Sequence, residues 1–189
     1  MPLYLVRHAP VALEGTCYGQ IDVPTAITAE TAIKTVHTHL RTKEPPTRVW
    51  SSPLQRCQDL AQAYTDTVHL SPHLMEASFG LWEGLRWDEI HEKFPDKMAQ
   101  WGANWTETPP PEGESALMVQ TRFEKFVGSL TPGVHLAFSH AGIIRAARVV
   151  LDAWTWAQAM ETPVAYLGLE CFTIPTDPPT TKLSQADVS

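Results

Sequence analysis

The chain has 189 residues, of which 43% are hydrophobic and 19% are charged, and its formal net charge is −7 at pH 7. This length fits one compact domain, and this composition excludes both a disordered chain and a membrane protein. An acidic balance also argues against a nucleic-acid surface, because the affinity of such surfaces comes from clustered Lys and Arg.

The compartment is predicted from the cysteines and from the first residues. Cys17, Cys57 and Cys171 are odd in number, widely spaced and without a metal-type pairing. We therefore expect a reducing cytoplasm and no metal or other cofactor. The opening run MPLYLVRHAP is typical of a strand rather than of a secretory leader. No apolar run approaches the ~20 residues that a membrane-spanning helix needs.

Strand-like apolar runs alternate with stretches of helical spacing along the chain. In chain order we predict a strand at 2–6, a helix at 28–40, a strand at 48–52, a helix at 53–64, a strand at 67–70, a helix at 115–130, a strand at 133–140, a helix at 143–151, a weak turn at 155–160 and one or two strands within 164–174. Thr28 and Ser115 are suitable N-caps. The alternation predicts βαβ units and a mostly parallel sheet covered on both faces.

Two segments depart from this alternation. Residues 71–112 hold four tryptophans and end in a Pro-rich run, so we expect an excursion over the mouth of the sheet, with a helix at 87–94. Residues 175–189 contain too few apolar side chains to fold and predict a mobile C-terminal tail. The remaining 1–174 is predicted to be a single domain.

Basic side chains recur at the ends of the predicted strands. The first strand ends in Arg7–His8, a later one ends in Ser139–His140, and Arg56 lies in the first turn of the helix after Ser51–Ser52. Ligand sites of parallel sheets form at the carboxyl ends of the strands. His140 also leads through Ala141 into a helix, whose N-terminal N–H groups attract anions. These groups together predict a site for a tetrahedral dianion.

Four short motifs carry a family resemblance. The motifs LVRHA, SSPLQRC, MEASFGLWEG and FSHAG resemble the ordered signatures of the histidine phosphatase superfamily, also called phosphoglycerate mutase-like. With CYGQIDVPT after the first motif, the chain is most similar to the alpha-ribazole phosphatase-like branch. The resemblance implies a three-layer α/β/α sandwich and phosphoryl transfer through a phosphohistidine.

The chemistry of the side chains fits that expectation. A neutral imidazole is a competent nucleophile near pH 7, so His8 is the candidate to attack phosphorus. Arg7, Arg56 and His140 would bind the equatorial oxygens, where the transition-state charge is spread. We expect His8 to be neutral because of the nearby arginines. We expect His140 to be protonated because a bound dianion raises its pKa.

The departing alcohol needs a proton, and two glutamates are candidates to supply it. The family pattern selects Glu76, which precedes Phe79–Gly80 by three residues. Glu83 is the competing choice, with a structural role as its other interpretation.

Some positions depart from the family pattern. Ala9 replaces the usual glycine, and the usual phosphate-binding asparagine is absent. Gln20, or the backbone near Gly19, is a candidate replacement donor, although Gln20 also suits a turn. Ala141 would bind phosphate through its backbone, and Tyr18 and Trp82 are candidates to line the leaving-group side. Arg145 and Arg148 are assigned to structural or surface roles.

The sequence thus predicts a hydrolase of small phosphomonoesters, with no nucleic-acid or membrane partner. Branch similarity suggests alpha-ribazole 5′-phosphate as the substrate. A cofactor-dependent phosphoglycerate mutase and a non-catalytic phosphate-binding member are the alternatives. The tryptophan-rich segments leave a homodimer open.

Overall fold

The computed structural model of the chain describes residues 1–175. The strands in this range are β1 (Pro2–Arg7), β2 (Arg48–Ser51), β3 (His69–Leu70), β4 (His135–Ser139) and β5 (Leu169–Thr173). The helices are α1 (Ala29–Leu40), α2 (Gln55–Tyr64), α3 (Trp87–Lys93), α4 (Pro95–Ala103), α5 (Ala116–Gly128), α6 (Ala141–Leu151) and α7 (Trp156–Glu161). All predicted elements are present, with shifted ends. The helix α4, which starts at Pro95, was not predicted.

The strands form one sheet with the order β3-β2-β4-β1-β5. The pairs β2–β3, β2–β4 and β1–β4 are parallel, and only the edge strand β5 runs antiparallel, against β1. Arg7 is in register with Ser139, and Ser51 is in register with Phe138. The carboxyl ends of β1, β4 and β2 therefore meet at the same edge, as predicted.

The alternating side chains of β1 show why the sheet is covered on both faces. Leu3 and Leu5 pack into a core cluster with residues of α5 and α6. Tyr4 and Val6 point to the opposite face and pack into a second cluster with residues of α1 and α2. Burying each such side chain contributes about 1.5–3 kcal/mol. The result is the predicted three-layer α/β/α arrangement.

Side-chain caps set the starts of two helices. The Thr28 hydroxyl accepts a hydrogen bond from the Thr31 N–H, and the Ser115 hydroxyl accepts one from the Met118 N–H. Each cap satisfies a backbone donor that the first helical turn leaves without a partner. Both N-caps were predicted from the sequence.

The excursion over residues 71–112 has a small apolar cluster of its own. Trp82, Cys17 and Ile90 are its buried centre, and aromatic side chains of α3 and α4 pack around them. The segment is fastened near Gly80, whose φ of 53° and close approach to the Pro111 carbonyl exclude a side chain. The Leu81 N–H also donates to the Pro111 carbonyl over 3.0 Å, so this part of the excursion lies against the excursion's own C-terminal end.

Two further sequence predictions concern membrane-spanning helices and the C-terminal tail. No helix within residues 1–175 has both the length and the apolar content needed to cross a bilayer. The predicted tail lies, apart from Pro175, outside the described residues.

Candidate active site

The two strand-end histidines lie side by side. The His8 N–H donates to the Ser139 carbonyl over 3.0 Å, which extends the β1–β4 pairing by one step. This brings the rings of His8 and His140 to a centroid distance of 5.1 Å. Both side chains are buried, at 1% and 0% exposure.

A backbone contact fixes the tautomer of His8. Its Nδ1 lies 2.7 Å from the carbonyl oxygen of Ala9, which can only accept, so Nδ1 carries the proton. The lone pair of the neutral ring is then on Nε2. The pKa of His8 is lowered from 6.5 to about 3, mainly by burial, with smaller contributions from the charges of Arg56 and Arg7. The ring is neutral, as we expected, but burial outweighs the arginines as the cause.

His140 occupies the N-cap position of α6. Its Nε2 lies 2.8 Å from the Ser52 hydroxyl and 3.4 Å from the Cys57 sulfur. Burial is the largest cause that lowers its pKa, followed by the charges of Arg56 and His8. The ligand-free ring is therefore neutral, and only a bound anion would raise its pKa far enough to give the protonated state expected from the sequence.

Two arginines complete a group that we call the cationic cage: Arg7, His8, Arg56 and His140. Arg56 is only 2% exposed, and its Nη atoms donate to the carbonyls of Ile21 and Gly19 over 2.8 and 2.6 Å. Arg7 donates from Nη1 to the Val164 carbonyl over 2.6 Å. The Nε groups of both arginines are buried and have no partner within residues 1–175. Buried N–H donors are usually paired, so these two donors fit a site for an anion.

Two tyrosines border the cage. The Tyr166 ring lies 3.6 Å from the Arg7 guanidinium carbon and 5.6 Å from the centre of the His8 ring. The Tyr18 ring lies 5.2 Å from the guanidinium carbon of Arg56. Burial first, and then the Tyr166 hydroxyl, raise the pKa of Tyr18 to about 12. Tyr18 thus lies beside the site, and its predicted contact with the leaving group stays a prediction, whereas Tyr166 gave no sequence signal because it follows no motif.

The structure separates the two candidate glutamates. Glu76 accepts from the Gly142 N–H over 3.0 Å, so its carboxylate lies at the start of α6, next to His140. Glu83 instead accepts from the N–H groups of Gln20 and Phe79, over 3.0 and 2.9 Å. These bonds tie two loops together. The contacts of Glu83 therefore suit a structural role that connects two loops, and the position of Glu76 suits a proton donor.

Gln20 holds the backbone of Glu76 in place. Its side-chain amide donates to the Glu76 carbonyl over 2.9 Å, and Arg122 donates to the same carbonyl over 2.9 Å. One amide proton of Gln20 is engaged by this contact and the amide also donates to Glu114 over 3.5 Å, so its placement does not favour the predicted role as a phosphate donor. Ala141 is the first residue of α6, and its predicted role in binding phosphate through its backbone stays a prediction.

The predicted lining role of Trp82 does not fit its position. Its side chain is 0% exposed at the centre of the excursion's own cluster. Other aromatic residues form the wall of a cleft of about 270 Å³ that includes Glu76. We call this the aromatic cleft, and its aromatic wall comprises Phe79, Trp87, Trp101, Trp105 and Trp156. The sequence could not separate buried from lining tryptophans because that difference depends on how the excursion packs.

The two arginines of α6 have different environments. Arg148 is 5% exposed and pairs with Glu170 over 2.6 Å, so its predicted structural role agrees with its contacts. Arg145 instead lines the aromatic cleft together with Glu76. Its spacing of four residues from Ala141 places it near the same helix face as Arg148, so helical spacing alone does not separate the two arginines.

Within residues 1–175, no three His, Cys, Asp or Glu side chains are grouped so that they could hold a metal ion. The charges available to an anion in the cage are those of Arg7 and Arg56.

Comparisons with known proteins agree with this geometry. The family model described as histidine phosphatase superfamily (branch 1) matches residues 3–186. An adenosylcobalamin/alpha-ribazole phosphatase of Salmonella typhimurium is 29% identical over 154 residues, which are 76% of each chain. The alpha-ribazole phosphatase of Shigella flexneri superposes with a TM-score of 0.80 at 23% identity, covering 93% of this chain and 92% of the other. YhfR of Bacillus stearothermophilus gives a TM-score of 0.79 at 20% identity, with 93% and 92% covered.

Proposed function

This chain belongs to the histidine phosphatase superfamily (branch 1) and is a phosphatase, and we propose that it hydrolyses a small phosphomonoester through a phosphohistidine at His8. The observation that carries the proposal is the cage itself. Two buried imidazoles 5.1 Å apart are flanked by two guanidiniums that each keep a buried N–H without a partner in residues 1–175. This arrangement suits a tetrahedral anion bound against a neutral ring nitrogen.

In the first step, the Nε2 lone pair of His8 attacks phosphorus as the bond from phosphorus to the alcohol oxygen breaks. Arg7, Arg56 and His140 hold the equatorial oxygens, where negative charge is spread in the transition state. The Ala9 carbonyl accepts from Nδ1–H and so stabilises the positive charge that develops on the ring. The Glu76 carboxyl gives its proton to the departing oxygen.

In the second step, the Glu76 carboxylate takes a proton from a water molecule. The water oxygen bonds to phosphorus, the bond from phosphorus to Nε2 breaks, and His8 recovers its lone pair. Inorganic phosphate leaves the cage. Because Glu76 lies both at the start of α6 and on the aromatic cleft, one carboxyl can serve the alcohol and then the water.

The aromatic cleft indicates the class of alcohol. Its wall is mostly apolar and aromatic, so a flat apolar ring would bury its surface there. The relative from Salmonella typhimurium is named for alpha-ribazole, and we propose alpha-ribazole 5′-phosphate as the first candidate substrate of this chain. The apolar wall is also the reason to place hydrolase ahead of phosphoglycerate mutase, whose substrate is small and highly charged.

The remaining parts of the proposal concern the cell. We propose that the protein acts in the cytoplasm without a cofactor. The cysteines Cys17, Cys57 and Cys171 are free thiols, which fits a reducing compartment. A homodimer stays a prediction from the sequence.

The test is a hydrolysis assay on para-nitrophenyl phosphate and alpha-ribazole 5′-phosphate, with release of inorganic phosphate as the readout. We expect turnover of both by the unaltered protein and none by His8→Ala. The matched control is His39→Ala, since His39 is an exposed histidine of α1 and should retain full activity. Turnover that survives in His8→Ala would overturn the mechanism. Failure on alpha-ribazole 5′-phosphate alone would overturn only the substrate.

A further inference from the structure

The aromatic cleft contains one cation that the proposed mechanism does not use. Arg145 projects from α6 into the cleft that Glu76 also lines. Its Nε is buried without a hydrogen-bond partner among residues 1–175. A buried guanidinium donor without a partner is uncommon, and within a cleft it is a ready donor for a ligand.

Arg148, one turn further along α6, shows what a structural arginine looks like in this fold. It makes two bonds to Glu170, over 2.9 and 2.6 Å, and donates to the Thr162 carbonyl over 2.9 Å. Its guanidinium is thus held by the chain itself. The two arginines share a helix and differ in whether the protein supplies their acceptors.

The carboxylates that line the cleft are already engaged by other donors. Glu114 pairs with Arg122 over 2.8 Å and accepts from the Ser78 N–H over 2.9 Å. Glu76 accepts from the N–H groups of Gly142 and Ala77, over 3.0 and 2.9 Å. Neither carboxylate has a hydrogen bond to Arg145, although the charge of Glu76 is near enough to oppose the lowering of the Arg145 pKa by burial.

We propose that Arg145 determines substrate specificity by binding an oxygen acceptor on the alcohol part of the substrate, with a carboxylate-like acceptor bound most tightly. The inference rests on the proposed function, because it assigns the aromatic cleft to the leaving alcohol. The aromatic wall would hold the flat ring of that alcohol, while the guanidinium, with up to five donors in a planar fork, would hold its oxygen. The preferred substrates are then phosphomonoesters that combine an apolar ring with an acceptor.

Three types of synthetic ester test this proposal: phenyl phosphate, and carbamoylphenyl phosphate and carboxyphenyl phosphate each as the ortho, meta and para isomers. For each ester, kcat/KM is measured with the unaltered protein and with Arg145→Gln. The ratio between the two proteins cancels the intrinsic reactivity of each ester. For at least one carboxyphenyl isomer we expect this ratio to exceed that of phenyl phosphate about 30-fold, with the carbamoyl ester between them.

Two further variants keep the result interpretable. Arg145→Lys retains a cation without the planar fork and should keep part of the preference for the carboxylate. Arg41→Gln removes one positive charge from an exposed position at the end of α1 and should change none of the ratios.

The outcomes separate the two proposals. Hydrolysis of phenyl phosphate by the unaltered protein, with kcat/KM unchanged in Arg145→Gln for every ester, would overturn the role of Arg145 in specificity and leave the phosphatase mechanism intact. An equal loss on all esters in Arg145→Gln would mean that Arg145 acts on the phosphoryl group or on Glu76, and would also overturn the inference. Absence of hydrolysis of every ester by the unaltered protein would instead count against the proposed function.

Discussion

Glu76 lies at the start of α6, next to the cationic cage, and also lines the aromatic cleft, and these two regions are built in different ways. The cage residues stand at the ends of β1 and β4 and in the first turn of α2, so the register of a parallel sheet sets their positions. The cleft is formed by side chains of the excursion over 71–112 and of the helices α5, α6 and α7, which come together only through tertiary packing.

Because of this difference, we expect the cage to carry out the reaction and the cleft to select the substrate. The cage is closed, with His8, Arg56 and His140 no more than 2% exposed, and its groups suit one tetrahedral anion. The cleft has a volume of about 270 Å³, is mostly apolar and is lined by one arginine whose Nε lacks a partner in residues 1–175. Changes in the cage should therefore affect every substrate alike, whereas changes in the cleft should affect substrates according to their alcohol.

The largest loss is expected from the cage. Replacing Arg56 in Arg56→Gln should lower kcat/KM for all phosphomonoesters by about 10³-fold, because a guanidinium that neutralises the transition-state charge is removed. The measurement is kcat/KM for phenyl and alkyl phosphates. Arg41→Gln, on the exposed end of α1, is the control and should stay active. A loss of kcat/KM for one substrate only would contradict the distinction between cage and cleft.

The next largest effect concerns stability and pH in the cage. The folded protein keeps His8 neutral, with a pKa of about 3 against 6.5, so the unfolded chain binds more protons in this window. The contribution of His8 to the free energy of unfolding should therefore be nearly full above pH 6.5 and should decrease as the pH falls toward 3. From pH 6.5 to pH 5 the loss from His8 alone is about 1.6 kcal/mol.

Urea denaturation at a series of pH values measures this dependence. His8→Asn should flatten the slope, although His140, whose pKa is also lowered by burial, keeps part of it. Exposed His39→Asn serves as the matched variant and should retain the full slope. An unchanged slope in His8→Asn would contradict the assignment of a buried neutral ring.

Glu76 lies between the two regions and should show mixed behaviour. Glu76→Gln should lower kcat for an alkyl phosphate by about 10²-fold, because an alkoxide cannot leave without a proton. The first step with para-nitrophenyl phosphate should be less affected, because that phenolate leaves readily.

Glu83→Gln provides the comparison with the competing glutamate. Its carboxylate braces two loops, so the expected effect is a lower melting temperature with kcat changed by less than about 5-fold. If Glu83→Gln showed the larger loss of kcat and the dependence on leaving group, the roles of the two glutamates would be reversed.

The smallest effect is expected in the cleft. Trp105→Leu should raise KM about 10-fold for aromatic phosphates, since an aromatic wall residue is lost, and should leave the inhibition constant of inorganic phosphate unchanged. Trp154→Leu is the matched control, because Trp154 contacts Arg148 rather than the cleft. Weaker binding of inorganic phosphate to Trp105→Leu would show that the two regions are not independent.

The residues of the cage could be predicted from the sequence and those of the cleft could not, and the reason is physical. Two apolar runs end in Arg7–His8 and in Ser139–His140. Because the carboxyl ends of parallel strands lie at one edge of the sheet, these local patterns predict that the two pairs lie close together. Likewise, Thr28 and Ser115 could be predicted as N-caps because each accepts a hydrogen bond from the first turn of its own helix.

Trp82 and Arg145 could not be assigned in this way. Trp82 is buried in a cluster of its own, and Arg145 differs from Arg148 only in what packs against each of them. Both outcomes depend on the placement of the excursion over 71–112, whose packing has no sequence period. The contact that disfavours the predicted donor role of Gln20 could not be foreseen for the same reason, because its amide meets a backbone carbonyl 56 positions away in sequence.

The chemical form of the trapped enzyme tests the central claim most directly. Glu76→Gln is mixed with para-nitrophenyl phosphate, quenched, and examined by mass spectrometry and by phosphorus NMR of the phosphorylated peptide. The account predicts an acid-labile phosphate on Nε2 of His8, since Nδ1 is held by the Ala9 carbonyl. Phosphate on Nδ1, phosphate on another residue, or turnover without any phosphoenzyme would contradict it.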